Sequence, residues 1–171
     1  MSATAGYTNR VCQTLHDEHG ATTALMERLE LLIARHRRGN PPDLSDRGVV
    51  RLLTDLSTGV EAEVQRHFAF EEEHLFPFLN GIGDDAIGAH LTEEHSAMRP
   101  IGTRLAGLAR MAERDGFTAN SWTEFCRLGQ ELCERMLAHV QKEEMALLPL
   151  LEESMDRDTE IRLYQEYAEN V

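Results

Sequence analysis

The chain has 171 residues, 42% of them hydrophobic, with 30 acidic against 17 basic side chains and a formal net charge of −13. That length suits one domain able to bury a core without disulfides or a structural metal. A surface this acidic repels phosphate backbones and anionic lipid, which argues against nucleic-acid and membrane partners.

Residues 1–9 offer neither a basic start nor an apolar run, and no stretch approaches the roughly 18 uncharged apolar residues of a membrane span, so the expected location is cytoplasmic. Cys12, Cys126 and Cys133 show no CxxC spacing. They read as reduced core residues rather than as a disulfide framework or a cysteine zinc site.

Val11, Leu15, Met26, Leu29 and Ile33 recur at helical spacing within residues 8–38, and the run stops at Gly39-Asn40-Pro41-Pro42. A second periodic run, Leu53, Leu56, Val60 and Val64, leads through His67 to Phe78 and ends at Asn80-Gly81-Ile82-Gly83. A third helix is expected over about residues 85–114. Ser121 and Glu124, three apart, have the form of a capping box and would open a fourth helix reaching about residue 153. A short fifth helix over about 158–170 would place Ile161, Tyr164 and Tyr167 or Ala168 on one side and pack across one end. Long helices joined by short loops imply an all-α, antiparallel up-down-up-down four-helix bundle, with residues 8–155 as the bundle and 156–171 as a C-terminal helical extension.

The chain repeats itself. Leu15-His16-Asp17-Glu18-His19 aligns with Leu91-Thr92-Glu93-Glu94-His95 as L-x-x-E-H. The stretch from His67 to Pro77 aligns with that from His139 to Pro149 as H-x3-E-E-x2-L-x-P. The near-equal offsets imply one helical hairpin used twice about a pseudo-twofold axis.

Residues four apart share a helix face, so His67 with Glu71, and His139 with Glu143, can each reach one point in space. His139 continues the apolar row Phe125, Leu128, Leu132, Met136, and His67 the row Leu53, Leu56, Val60. His19 falls between Leu15 and Met26, and His95 between Leu91 and Met98, again on inward stripes. One such histidine is ordinarily a hydrogen-bonded core residue, and one HxxxE ordinarily a surface pair. Four inward histidines with two carboxylates differ: buried unpaired they cost several kcal/mol per charged group, which coordination offsets. Imidazole and carboxylate donors without thiolate suit iron, manganese or zinc. Two glutamates on opposite hairpins can each bridge a metal pair, with two histidines left for each ion.

The order H, HxxxE, H, HxxxE, with Leu75-Phe76-Pro77 closing the second-helix motif, resembles the hemerythrin-like (HHE cation-binding) family over about residues 10–153. The resemblance implies two iron ions, oxo- or hydroxo-bridged, with His19, His67, His95 and His139 as terminal ligands and Glu71 and Glu143 as bridging carboxylates. Oxygen-carrying members use a fifth histidine in an HxxxH on helix three and an aspartate five residues after the helix-four histidine. Here helix three offers His90 and His95, five apart, and Glu144 holds the aspartate's place. His74, seven residues after His67, is a candidate fifth imidazole or a hydrogen-bond partner to a ligand. His16 at most borders the site, and His36 beside Arg37 and Arg38 suits a helix C-terminus.

The expected function is that of a di-iron protein handling a small oxidant, O2, NO or peroxide; enzymatic turnover is one of the readings left open, in which case it would act on NO or peroxide, with an electron-donor protein of unknown identity as a candidate partner. The alternatives are a non-enzymatic carrier or sensor of oxygen or iron, and a structural bundle with a hydrogen-bonded polar core. No Ser-His-Asp, Walker or GxGxxG pattern supports hydrolytic or nucleotide chemistry.

Overall fold

The computed structural model of the protein describes residues 6–36 and 40–169. Helix α1, Arg10–His36, starts where the Asn9 side chain accepts from the backbone amides of Val11 and Cys12 at 2.9 and 3.1 Å. Its expected continuation through Arg37 and Arg38 lies outside the described residues. Helix α2 covers residues 47–81 and is capped by Asp46, whose carboxylate accepts from the Gly48 amide at 2.8 Å. Helix α3, Ala86–Asp115, ends at Gly116, whose φ of 76° is open to glycine without strain. Helix α4 covers 119–154, and α5 is Arg157–Glu169.

Around the bundle, α1 packs against α2 and α4, and α3 packs against α2 and α4. The result is the all-α bundle with a short C-terminal helix that periodicity implied. Helix α5 lies against α1, and its Leu163 and Tyr167 are buried.

The start of α4 differs from expectation. The box is formed by Thr118 and Ser121: the Thr118 hydroxyl accepts from the Ser121 amide at 3.0 Å, and Ser121 Oγ from the Thr118 amide at 2.9 Å. Phe117, just outside the helix, packs on Trp122 with ring centroids 5.0 Å apart, a hydrophobic staple that fixes the chain's entry two residues before Ser121. Glu124 is instead paired with Arg104 at 2.8 Å. Thr118→Ala should lower stability by about 1 kcal/mol, readable by chemical denaturation.

Both long even-numbered helices are interrupted by wide π-turns, at Glu63–His67, Glu71–Leu75 and Glu143–Leu147. Proline explains the placement of two of them. Phe76 N–H bonds back to the Glu71 carbonyl and Leu148 N–H to the Glu143 carbonyl, five residues each, immediately before Pro77 and Pro149. A register already widened by one residue accommodates the missing amide, so neither proline ends its helix. Pro100 likewise lies inside α3 without ending it.

The core is two apolar clusters. One includes Met26, Leu29, Leu53, Leu56, Phe68, Met98, Phe125 and Met136. The other includes Val11, Leu15, Phe70, Leu75, Leu79, Leu91, Leu147 and Leu163. His19 and His95 sit between a residue of one cluster and a residue of the other, so a polar layer crosses the bundle where the two meet.

Candidate metal centre

The polar layer consists of the four histidines and two glutamates of the repeat. His19, His67, Glu71, His95, His139 and Glu143 are each at most 2% exposed. They form two overlapping groups: His19, His67, Glu71 and Glu143, and Glu71, His95, His139 and Glu143. Within each group the candidate donor atoms lie within 4.8 Å of one another, and both glutamates belong to both groups.

The division runs through each carboxylate. Glu71 Oε1 is 3.1 Å from His67 Nε2, while its Oε2 is 3.2 Å from His95 Nε2. Glu143 Oε2 is 2.7 Å from His19 Nε2, while its Oε1 is 2.7 Å from His139 Nε2. His95 and His139 meet at 3.1 Å between Nε2 atoms.

Proximity here is not hydrogen bonding throughout. His19 Nε2, Glu71 Oε2 and both Glu143 oxygens are buried without an aligned hydrogen-bond partner. Buried polar atoms are nearly always paired. Orphaned atoms that converge from three helices are aimed at common points between them, which fits cations held by imidazole and carboxylate.

The other ring nitrogen of every histidine rests on a carboxylate. His19 Nδ1 is 2.6 Å from Glu144, His67 Nδ1 2.9 Å from Glu18, His95 Nδ1 2.8 Å from Glu72 and His139 Nδ1 2.8 Å from Glu94. A carboxylate accepting Nδ1–H leaves Nε2 as the inward donor and fixes the ring plane. Each carboxylate is held in turn: Glu72 by Arg99, Glu94 by Lys142, Glu144 by His16, and Glu18 by the Tyr167 hydroxyl of α5 at 2.5 Å. Glu144 thus orients His19 rather than joining either group of converging donors, and His16 borders the site through it.

Glu18→Gln should weaken retention of a bound cation by about 10- to 100-fold in a chelator competition, and Tyr167→Phe by a smaller factor in the same direction.

The structure does not bring His74 into either group. Its Nδ1 is 3.1 Å from Glu166 of α5, and its ring packs on Phe70. His90 is exposed and faces Glu94 at 3.3 Å. The wide turn Glu71–Leu75 supplies the reason for His74, since a π-turn carries following side chains off the face that regular helical counting assigns.

Electrostatics follow from this packing. Burial opposes a charge on His19, but Glu143 and Glu144 outweigh it and raise its pKa to about 9. His95 rises to about 9 against burial through Glu143 and Glu71. Burial disfavours ionised Glu143, yet four surrounding imidazoles hold its carboxyl well below the usual range. Among the groups outside this layer, burial pushes the Cys12 and Cys133 thiols up to about 12, as inert core thiols require.

Comparison with known families supplies an independent observation: residues 11–151 match the hemerythrin HHE cation-binding domain. The chain belongs to that family. No curated protein matches it. The match takes in all four long helices and every side chain of the polar layer, so the metal-binding reading rests on the hemerythrin domain and on the buried cluster together. Helix α5, with Tyr167 and Glu166, falls outside the matched hemerythrin segment. No helix among the described residues is long and apolar enough to cross a membrane.

Proposed function

We propose that the protein holds two iron ions in its polar layer and handles a small oxidant there, dioxygen, nitric oxide or peroxide. The observation that carries this reading is the division of Glu71 and Glu143, each of which turns one oxygen toward the His19/His67 pair and the other toward the His95/His139 pair. A single ion would use one of the two groups and leave the other buried and unanswered. The donor set of imidazole and carboxylate, with no thiolate among the converging atoms, suits iron in two oxidation states.

When bound, a ferrous pair would supply electrons to a small oxidant. The chain's own contribution is positional. Six buried donors would hold the ions, four carboxylates at Nδ1 keep the imidazoles oriented and electron-rich, and the two apolar clusters on either side keep bulk water out.

The test is iron content together with the visible spectrum of aerobically purified protein, repeated with His67→Ala and Glu143→Ala. Two irons per chain with oxo-bridge absorption is the expected result for the wild type; the absorption is lost in both variants, with Glu143→Ala taking up neither iron and His67→Ala keeping the one at the His95/His139 position. Wild-type protein that is metal-free and refuses ferrous iron returns the polar layer to a purely structural role.

A carrier or sensor of oxygen or iron is favoured by one specific contact, the Tyr167–Glu18–His67 chain of hydrogen bonds, which ties α5 to a candidate ligand. On that reading, loading slows amide exchange in α5, and identical exchange in loaded and metal-free protein would rule it out.

A further inference from the structure

The internal repeat extends to two surface cavities. Glu18, Thr22, Gly59, Ala62, Glu63 and Arg66 line one on the seam of α1 and α2. Glu94, Met98, Glu131, Glu134, Arg135 and Ala138 line its counterpart on the seam of α3 and α4. These residues correspond pairwise by the offsets that relate His19 to His95 and His67 to His139.

The two seams have diverged. Glu131, Glu134 and Arg135 ring the α3/α4 cavity, Met98 lines it, and neither His95 nor His139 does. On the α1/α2 seam Gly59 and Ala62 replace the two carboxylates, Thr22 replaces the methionine, and a cavity of about 200 Å³ has His67 in its lining. Tyr167 stands at its edge, supplied by α5, which the repeat does not duplicate. Glu63 also opens the wide turn Glu63–His67, whereas the corresponding stretch of α4 is regular helix.

Two buried polar atoms in the α1/α2 lining lack hydrogen-bond partners. Glu63 is 6% exposed; its Oε2 accepts from the Thr22 hydroxyl at 3.1 Å, and its Oε1 has no donor. Arg66 Nε–H has no acceptor. The Arg66 guanidinium lies over the Tyr167 ring at 4.5 Å, and both orphaned atoms sit just beneath the cavity's surface on side chains that line it; an orphaned acceptor beside an orphaned donor calls for a ligand that both donates and accepts.

Dioxygen and nitric oxide have no hydrogen to give Glu63. Hydrogen peroxide has two, and its oxygens also accept from Arg66. Anionic oxidants are disfavoured by the carboxylates of Glu18 and Glu63.

We infer that the α1/α2 cavity is the holding site from which hydrogen peroxide reaches the His19/His67 half of the centre, with Glu63 and Arg66 as its hydrogen-bonding partners. This rests on the redox reading above and narrows its substrate. Consumption then needs no outside reductant: one peroxide is oxidised to dioxygen while a second is reduced to water, 2 H₂O₂ giving O₂ and 2 H₂O.

The test pairs turnover with binding. In iron-loaded protein, Glu63→Leu should raise KM for peroxide about tenfold, with kcat within twofold and iron content unchanged. Glu63→Gln, which keeps an acceptor, should stay near wild type, and Arg135→Leu on the opposite seam should change nothing. In zinc-loaded, redox-silent protein, hydrogen peroxide should shift the amide resonances of Thr22 and Glu63 but not those of Met98 and Arg135, and Glu63→Leu should abolish the shift. Equal or absent shifts at the two seams, meaning that water alone occupies the cavity, or an unchanged KM in Glu63→Leu, would overturn the inference. If wild-type protein loads iron but releases no dioxygen, the redox reading fails for peroxide, and the zinc titration still decides the cavity.

Discussion

On the two-ion site proposed above, Glu143→Leu should give a folded bundle that takes up neither ion. Glu143 belongs to both groups of converging donors and has no exposed surface, so its loss removes an oxygen from each at once. His67→Ala removes one donor from one group only, and should leave the His95/His139 position able to hold metal. Leucine roughly conserves the buried volume, which keeps packing loss small. The metal-free variant pays in another way: His19 and His139, each 2.7 Å from Glu143, lose their shared counter-charge. Removing one partner of a buried ion pair costs about 3–5 kcal/mol, so denaturation in the presence of a chelator should show a loss of that order near pH 6. Metal analysis of the two variants side by side is the decisive comparison. A Glu143→Leu protein that still binds two ions, or a His67→Ala protein that binds none, would contradict the shared-carboxylate geometry.

The sequence displayed the six inward donors because they repeat: H and HxxxE occur twice, on faces already marked by apolar neighbours such as Leu15, Met26, Leu91 and Met98. What it concealed was the role of Glu18, Glu72, Glu94 and Glu144. Each stands one residue from a member of the polar layer, which on a helix is about 100° round the axis and reads as a solvent-facing position. Each serves a histidine on a neighbouring helix, so no count along a single helix assigns it. The signal was nonetheless in the repeat, since Glu-His and Glu-Glu recur as pairs and not only as single ligands. His74 failed for a different reason. Seven residues is two turns of a regular helix, but the path from His67 crosses a π-turn, and propensity patterns carry no mark of one beyond the proline that follows. Tyr167 was legible as a packed face residue of α5, while its hydrogen bond to Glu18 spans 149 positions of sequence and depends on how α5 folds back.

Metal-free and metal-loaded protein should respond to rising pH in opposite directions. Without metal, protons hold the layer together: His19 and His95 have pKa values raised to about 9, from an ordinary value of 6.5. A raised histidine pKa stabilises the folded state fully below about 6.5, and the contribution fades as pH climbs through about 9. Counted singly, each shift corresponds to on the order of 3 kcal/mol, and less for the pair because both lean on Glu143. Glu143, held well below its ordinary 4.5, contributes stability that is present above that value and is lost as acid protonates it. Metal-free protein should therefore be most stable between about pH 5 and 6.5 and weaken toward pH 9. Metal competes with those protons for the same Nε2 atoms, so each ion bound releases them, and affinity rises over the window in which the metal-free form weakens. Tm measured from pH 5 to 9 with chelator and with saturating zinc checks the sign, and calorimetric titration in two buffers of different ionisation enthalpy counts the protons released. A chelated protein whose Tm is flat from pH 6.5 to 9 would mean that its histidines are already neutral, their Nε2 atoms bare and directed at one another.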